Sequence, residues 1–254
     1  MKRLVLVALT GALVLAGCGG GGSETTSTET TTTVRAQTVS GRVYFLHGGK
    51  VWPVARELEP PDVAVSALAA LYAGPTADER QDLQLATAVP DVNPGIDRLE
   101  IDKAREIARY GPPADLSRKA LAQVVYTLTQ FPSVKAVEIG GKRYTRADFE
   151  DETPAILVES PLAWQKVGSP LRVTGTANTF EATFEYELTD TDGKIVDSHF
   201  VTATSGSGTR GTFDFTTKPY AVPFSGVGAL IVSERSAKDG SRIHLVEIPL
   251  RMGK

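Results

Sequence analysis

Phe180-Glu181-Ala182-Thr183-Phe184-Glu185-Tyr186-Glu187-Leu188-Thr189 is the stretch on which the fold turns. Apolar and polar residues alternate along it without a break, the period of two that sets one face of a strand against a core and the other in water. A helix would repeat its apolar residues every three to four positions, and this run has no such spacing. Its surroundings read the same way. Leu171 and Val173 alternate with Arg172 and Thr174 ahead of it. Asp192-Gly193 is a turn dipeptide leading into Lys194–Ala203, and a Gly/Ser loop precedes Phe213 and Phe215. Val227–Glu234, Asp239-Gly240 and Arg242–Leu250 read as a closing hairpin.

About seven turn-separated strands in roughly a hundred residues predict an all-β immunoglobulin-like sandwich over residues 154–252. The stretch carries no cysteine pair, so Trp164 is not read as the core tryptophan of an antibody domain. Upstream, Glu150-Asp151-Glu152-Thr153-Pro154 is acidic and ends in proline, which places a domain boundary there.

Residues 39–149 mix both periods. Val43-Tyr44-Phe45-Leu46, Gly48-Gly49 and Val51-Trp52-Pro53-Val54 predict a hairpin whose proline keeps the second strand at an edge or near its start. Asp62 is the expected N-cap of a helix with Ala64, Leu68, Leu71 and Tyr72 on one face, ended by Gly74-Pro75. Thr76-Ala77-Asp78-Glu79 has the spacing of a capping box. Short strands are expected at Gln84–Val89, Arg98–Ile101 and Arg105–Arg109. Asp115 or Ser117 opens the strongest helix, where Leu121, Val124, Val125 and Leu128 share a face before Phe131-Pro132. Val134–Ile139 with Gly140-Gly141 predicts a further hairpin, so this part is an α+β domain.

The N-terminus carries the address. Met1-Lys2-Arg3, an apolar run from Leu4 to Leu15, and Ala16-Gly17 lead to Cys18, the only cysteine in the 254 residues. The run falls short of the roughly 20 apolar residues that span a bilayer. It resembles a bacterial lipobox, which implies cleavage after residue 17 of a signal peptide (1–17) and lipidation of Cys18. Two acyl chains would hold the protein durably to the membrane, where one gives only marginal binding. Residues 18–38 hold four consecutive glycines and a Ser/Thr/Glu run, a composition that predicts a disordered tether. The net charge of −3 without a basic block argues against nucleic acid as a partner.

Two stretches resemble known families. Val43-Tyr44-Phe45-Leu46, the helix Leu68–Leu71 running into Gly74-Pro75-Thr76, Ala88-Val89-Pro90, Ala122-Gln123-Val124-Val125-Tyr126-Thr127-Leu128-Thr129 and Phe131-Pro132-Ser133-Val134-Lys135-Ala136-Val137 are similar to the GerMN domain of spore germination and sporulation proteins. The segment Asp91–Asp115, interrupted by Gly111-Pro112-Pro113, departs from that pattern. Ile156-Leu157-Val158-Glu159-Ser160-Pro161, Val173-Thr174-Gly175-Thr176-Ala177, Phe180-Glu181-Ala182-Thr183, Asp192-Gly193 and Asp239-Gly240 resemble the immunoglobulin-like domain of bacterial spore germination proteins. The resemblance implies a cell-envelope lipoprotein, carries no catalytic residue onto this chain, and implies protein–protein assembly, since the GerMN fold is similar to ring-building modules of secretion machines.

Searching the residues for chemistry returns little. Gly206-Ser207-Gly208-Thr209-Arg210-Gly211 matches a dinucleotide fingerprint in letters, but a strand pattern follows it where the motif requires a helix, so a flexible hairpin loop is expected. Asp190-Thr191-Asp192-Gly193 lacks the glutamate that a calcium loop needs twelve positions along, where Val201 stands, and reads as a turn. His47, His199 and His244 have no metal-ligand spacing, and Ser205, Ser207 and Ser241 lie in turns without a nucleophile motif. Glu181, Glu185 and Glu187 read as the wet face of a strand rather than a glycosidase pair. Trp52, Trp164 and Tyr220 could stack on glycan rings or anchor a partner, with core burial the expected fate of each. No cofactor and no metal site is expected.

The expectation is a non-enzymatic lipoprotein on the extracytoplasmic face of the cell membrane, binding envelope proteins or cell-wall polymer. The rivals are a glycan-binding module and an enzyme acting on peptidoglycan or polysaccharide. A histidine lying in a pocket beside a carboxylate would favour the enzyme.

Overall fold

A computed structural model of the chain describes residues 37–222 and 224–253. The lipobox with Cys18 and the tether up to residue 36 lie outside the described residues.

Strands β1 (Val39–His47) and β2 (Lys50–Leu58) form the hairpin, with Gly48 and Gly49 both at positive φ in its turn. Pro53 is tolerated because the sheet has two strands only, leaving β2 an outer edge. Helix α1 (Val63–Tyr72) buries Ala67, Leu68, Leu71 and Tyr72. Asp62 stands at its N-cap position, yet its side chain makes no capping bond. Helix α2 (Ala77–Asp82) has the full capping box: Glu79 N–H donates to Thr76 Oγ1 at 3.2 Å, and Thr76 N–H donates to Glu79 Oε2 at 2.8 Å. The strand expected at Gln84–Val89 reduces to a single bridge between Leu46 and Ala86.

Strands β3 (Leu99–Asp102) and β4 (Ile107–Tyr110) pair antiparallel. Helix α3 (Arg118–Leu128), capped by Ser117, crosses over to β5 (Ala136–Ile139), which runs parallel to β4 and turns into β6 (Lys142–Tyr144). A parallel pair needs such a crossover, and a helix supplies it. The polar Gln123 of α3 is fully buried because its amide serves the neighbouring main chain. Its Nε2 donates to Tyr44 O at 3.0 Å and its Oε1 accepts from Ala88 N–H at 2.7 Å.

The second half is the sandwich. Strands β7 (Ile156–Ser160), β8 (Arg172–Ala177) and β11 (Gly211–Thr216) form one sheet in the order β11-β8-β7. Strands β9 (Thr183–Thr189), β10 (Ile195–Thr202), β12 (Gly226–Arg235) and β13 (Arg242–Met252) form the other, ordered β10-β9-β12-β13. The architecture is α+β followed by an all-β immunoglobulin-like sandwich, the class read from the sequence. Between the sheets Phe184 meets Phe213 edge-on at 4.9 Å between ring centroids, and Tyr186 stacks on Phe215 at 4.6 Å.

Two sequence readings need correction here. The alternation of residues 180–189 becomes strand only from Thr183. Phe180–Ala182 is a 3₁₀ turn in which Glu181 and Ala182 take positive φ, and Phe180 is exposed. The glycine-rich segment before Arg210 joins β10 to β11, which belong to different sheets, so it is a crossing between layers and not a hairpin loop. A Cβ at Gly206 would stand 2.4 Å from Ala182 N, so this loop is held close against its neighbour.

Candidate functional site

The joint between the two domains is built from polar contacts. Residues Arg146–Glu152 form 3₁₀ turns leading into β7, and Glu159 near the end of β7 reaches back to the first domain. Tyr44 Oη donates to Glu159 Oε1, which also lies 2.8 Å from Arg146 Nη1. Arg146 lies over the rings of Tyr126, at 4.6 Å, and Tyr44, at 5.4 Å. Burial pushes the Glu159 carboxyl upward, but the Arg146 charge and the hydrogen bonds from Tyr44 and Arg146 outweigh it and hold the group below its usual range. Burial raises Tyr44 well above the usual phenol range.

A second contact joins the domains on the side of a large groove. Arg210 forks onto Glu150, with Nε 2.8 Å from Oε2 and Nη2 2.9 Å from Oε1, and donates again to Pro154 O at 2.8 Å. Burial works to raise the Glu150 carboxyl, and hydrogen bonds from Arg210 and Asn178 overcome it and lower the group.

The groove has a volume of about 1160 Å³. One wall is the β1–β2 turn and the chain after α2. There His47 Nδ1 lies 2.8 Å from Leu83 O and the His47 ring packs on Trp52 at 4.9 Å. Trp52 is 8% exposed, and its buried Nε1 has no partner among the described residues. The floor is Glu150, Asn178 and Arg210, whose polar atoms serve one another: Asn178 Nδ2 donates to Glu150 Oε1 at 2.8 Å. The facing wall is Trp164 and the first half of β13, from His244 to Glu247. Lys50 Nζ donates to Asp151 O. Asp82 and Glu247 also line the groove, and neither makes an ion pair among the described residues.

The backbone is unusual at this site. Seven described residues other than glycine have positive φ, and three of them line the groove: Gln84 at 50°, Trp164 at 65° and His244 at 53°. Such residues are uncommon outside glycine, and they cluster where a site needs a side chain or main chain set at a fixed angle. His244 sits in a bulge, because β13 spends one more residue than β12 between the pairs Val232–Val246 and Glu234–Ile243.

The structure thus brings together His47, His244, Trp52 and Trp164. His199 lies on β10 outside the groove, and Tyr220 is half-buried with Oη donating to Gly168 O at 2.8 Å. His244 Nε2 stands 3.8 Å from Glu234 Oε2, beyond hydrogen-bond reach, while Glu234 Oε1 accepts from Phe180 N–H at 2.7 Å. Glu185 and Glu187 pair with Arg235 and Arg242, and Asp190 Oδ1 accepts from Asp192 and Lys194 N–H in a turn. No group of three or more metal-ligating side chains stands together among the described residues. Sequence reading missed Glu159, Arg146, Glu150 and Arg210. The one local signal was Glu159 itself, a carboxylate directly after the apolar run Ile156-Leu157-Val158.

Comparison with known proteins agrees with both halves of the architecture. Residues 42–144 match the family described as "Sporulation and spore germination". Residues 155–241 match the "Immunoglobulin-like domain of bacterial spore germination". Among solved structures, the tandem GerMN domains of the sporulation protein GerM from Bacillus subtilis are 20% identical, with a TM-score of 0.30 over 40% of this chain. The match spans 38% of the length of that chain. A search of curated proteins found no match.

Proposed function

On the premise that the chain carries a sporulation and spore-germination domain followed by an immunoglobulin-like domain of bacterial spore germination, we propose that it is a lipid-anchored scaffold that holds an envelope component in its interdomain groove. The domain pair supports a role in sporulation or germination. Cys18 carries the anchor, the Gly- and Thr-rich segment behind it is the spacer, and the protein works outside the cytoplasmic membrane without catalysing a reaction.

The observation that carries this reading is the concentration of left-handed residues and both tryptophans of the chain around one groove. Pockets at domain interfaces, with apolar walls and a few placed polar groups, are where ligands are commonly held. Catalysis would need an acid or base free to meet a substrate. Here neither groove histidine lies within hydrogen-bond reach of a carboxylate: His47 Nδ1 is 2.8 Å from Leu83 O, and His244 Nε2 is 3.8 Å from Glu234 Oε2.

The test places a photo-crosslinking residue at Leu245, which is exposed in the groove, in the full lipidated protein in its own cells, with Phe200 as the exposed control outside it. An envelope component captured from position 245 and not from 200 is expected. Equal capture at both, or recovery of the protein from the cytosol, overturns the reading. The enzyme reading draws on His244 beside Glu234, and release of soluble fragments from purified peptidoglycan by the purified protein would establish it.

A further inference from the structure

The free edge of β13 says what kind of molecule the groove takes. In the second half of this strand, Pro249 O accepts from Trp164 N–H at 2.7 Å, Arg251 N–H donates to Gln165 O at 2.9 Å, and Arg251 O accepts from Val167 N–H at 3.0 Å. Residues 249 and 251 therefore turn their main-chain groups away from β12, and the two-residue period of a strand puts Glu247 on the same side. A short extended piece of the chain, bridged in parallel through Lys166 and Arg251, already covers that edge as far as Trp164. Beyond Trp164 the edge opens into the groove, where Leu245 is 54% exposed.

We propose that an extended, basic polypeptide segment adds to this edge, continuing the line of pairing begun by residues 164–167 and exchanging main-chain hydrogen bonds with Glu247. The proposal rests on the groove reading above and names its occupant. Strand addition is a common mode of peptide recognition, in which main-chain bonds give affinity and the flanking side chains give selectivity. The bulge at His244 interrupts the ladder, so the pairing is short and side chains carry the remainder.

Charge sets the sign of the partner. Arg210 is paired with Glu150, and Lys50 donates to the main-chain Asp151 O and keeps its charge. Asp82 and Glu247 make no ion pair among the described residues, so the carboxylates of the lining (Asp82, Glu150, Glu247) outnumber its Lys and Arg cations by one. The uncompensated charge is negative, which favours lysine or arginine in the incoming segment. A saccharide is less well served. Trp52 is too buried to offer a ring face for stacking, and the polar floor is saturated by its own hydrogen bonds.

The experiment uses a convenient property of the chain. Its two tryptophans, Trp52 and Trp164, both line the groove, so intrinsic tryptophan emission of the whole protein reports groove occupancy. The probes are an acetylated peptide of alternating lysine and valine, the same peptide N-methylated at every second amide, and chitotetraose. The plain peptide is expected to shift the emission saturably, and methylation in the register that faces β13 to weaken it roughly tenfold, the effect of losing one or two main-chain hydrogen bonds. Glu247→Pro removes the outward N–H at a position whose neighbour two residues on, Pro249, shows that proline fits this edge, and it should lose binding to a similar degree. Glu247→Gln keeps the N–H and should lose only about two- to threefold. Circular dichroism confirms that both variants fold.

Equal binding of plain and methylated peptides, or full binding by Glu247→Pro, overturns strand addition. A response to chitotetraose alone also overturns it while the groove reading stands. Silence of every probe together with selective capture at position 245 defeats only the strand proposal. Silence of every probe together with no capture defeats both.

Discussion

Arg146 lies 2.8 Å from Glu159 across the joint, so a residue at the end of the first domain and a residue of the first sandwich strand share one partly buried ion pair. Tyr44 completes it from β1. Removing one partner from such a pair strands the other charge in a poor solvent, which costs more than the pair contributes when intact. Glu159→Ala is therefore expected to destabilise the protein by about 2–3 kcal/mol, less than a fully buried pair because water reaches part of Arg146. Glu159→Gln, which can still accept from Tyr44, should cost less. Denaturant unfolding followed by circular dichroism measures both. Equal stability of wild type and Glu159→Ala would show that the joint does not depend on this pair.

The same carboxyl sets a pH dependence. Its folded-state value is lowered, so between that value and the unfolded one, about 4.3, the unfolded chain binds more protons and stability rises with pH. The contribution is complete above the unfolded value and is lost as pH falls through the folded one. Glu150 and Glu79, lowered by Arg210 and Arg56 against their own burial, act in the same direction. Thermal midpoints should fall as pH drops below about 4–5, and Glu159→Gln should flatten that slope. An unchanged slope in this variant would assign the acid sensitivity to the other carboxyls that folding lowers, Glu150, Glu79 and the aspartates Asp102, Asp148, Asp151, Asp214 and Asp239.

How far the fold is legible depends on how local its causes are. The Thr76 capping box and the alternation from Thr183 to Thr189 are each decided within a few residues and present as read, and of the two helix starts offered, Asp115 and Ser117, the structure takes Ser117. Phe180–Ala182 continues the alternating letters but not the strand, since nothing in the pattern reveals positive φ at Glu181 and Ala182. The residues of Gln84–Val89 have strand character, yet they find one bridge instead of a ladder partner. The candidate site was the least legible part. Tyr44 and Glu159 are 115 positions apart, and the groove exists only where two separately readable domains meet. Composition showed Trp52, Trp164, His47 and His244 as isolated residues, and only the fold makes them neighbours.

Gly175 is a steric requirement of the sandwich. A Cβ there would stand 2.1 Å from Leu157 O and 2.6 Å from Phe213 Cζ, between the β7–β8 ladder and the aromatic core. Neither neighbour can yield without breaking a ladder bond or moving a packed ring. Gly175→Ala should cost about 3 kcal/mol or more. Gly193→Asn is the contrast. Its φ is +76° with nothing within 4 Å of an added Cβ, a conformation that asparagine tolerates, and the cost should stay under about 1 kcal/mol. Thermal unfolding of the two variants checks the difference, and equal losses would contradict the packing argument.

Trp52 separates ring volume from its polar atom. The indole is buried and packs against His47, but Nε1 lacks an acceptor among the described residues. Trp52→Phe removes an unsatisfied donor and some packing together, two effects of opposite sign, so stability should stay within about 1 kcal/mol of wild type. Trp52→Ala removes the same donor together with nearly all of the packing and should cost about 3–5 kcal/mol. A loss above about 2 kcal/mol for Trp52→Phe would mean that the N–H has an acceptor in solution.

Cys18 bears on where all of this takes place. A thiol at the end of Leu15-Ala16-Gly17-Cys18, behind a short apolar run and ahead of four glycines, stands where acylation and cleavage would act together. Replacing it removes the acyl acceptor without touching any described residue. Cys18→Ala is expected to leave the membrane fraction as secreted protein or to persist as an uncleaved precursor, and the wild type is expected to sediment with membranes and to dissolve in detergent. Acyl chains of this kind hold a protein through buried methylenes at about 0.8 kcal/mol each, so the anchored form should resist high salt and alkaline carbonate. A processed Cys18→Ala protein that still sediments with membranes would locate the attachment elsewhere in the chain, and the exposed strand edge and loops of the sandwich would then be the surfaces to test for it.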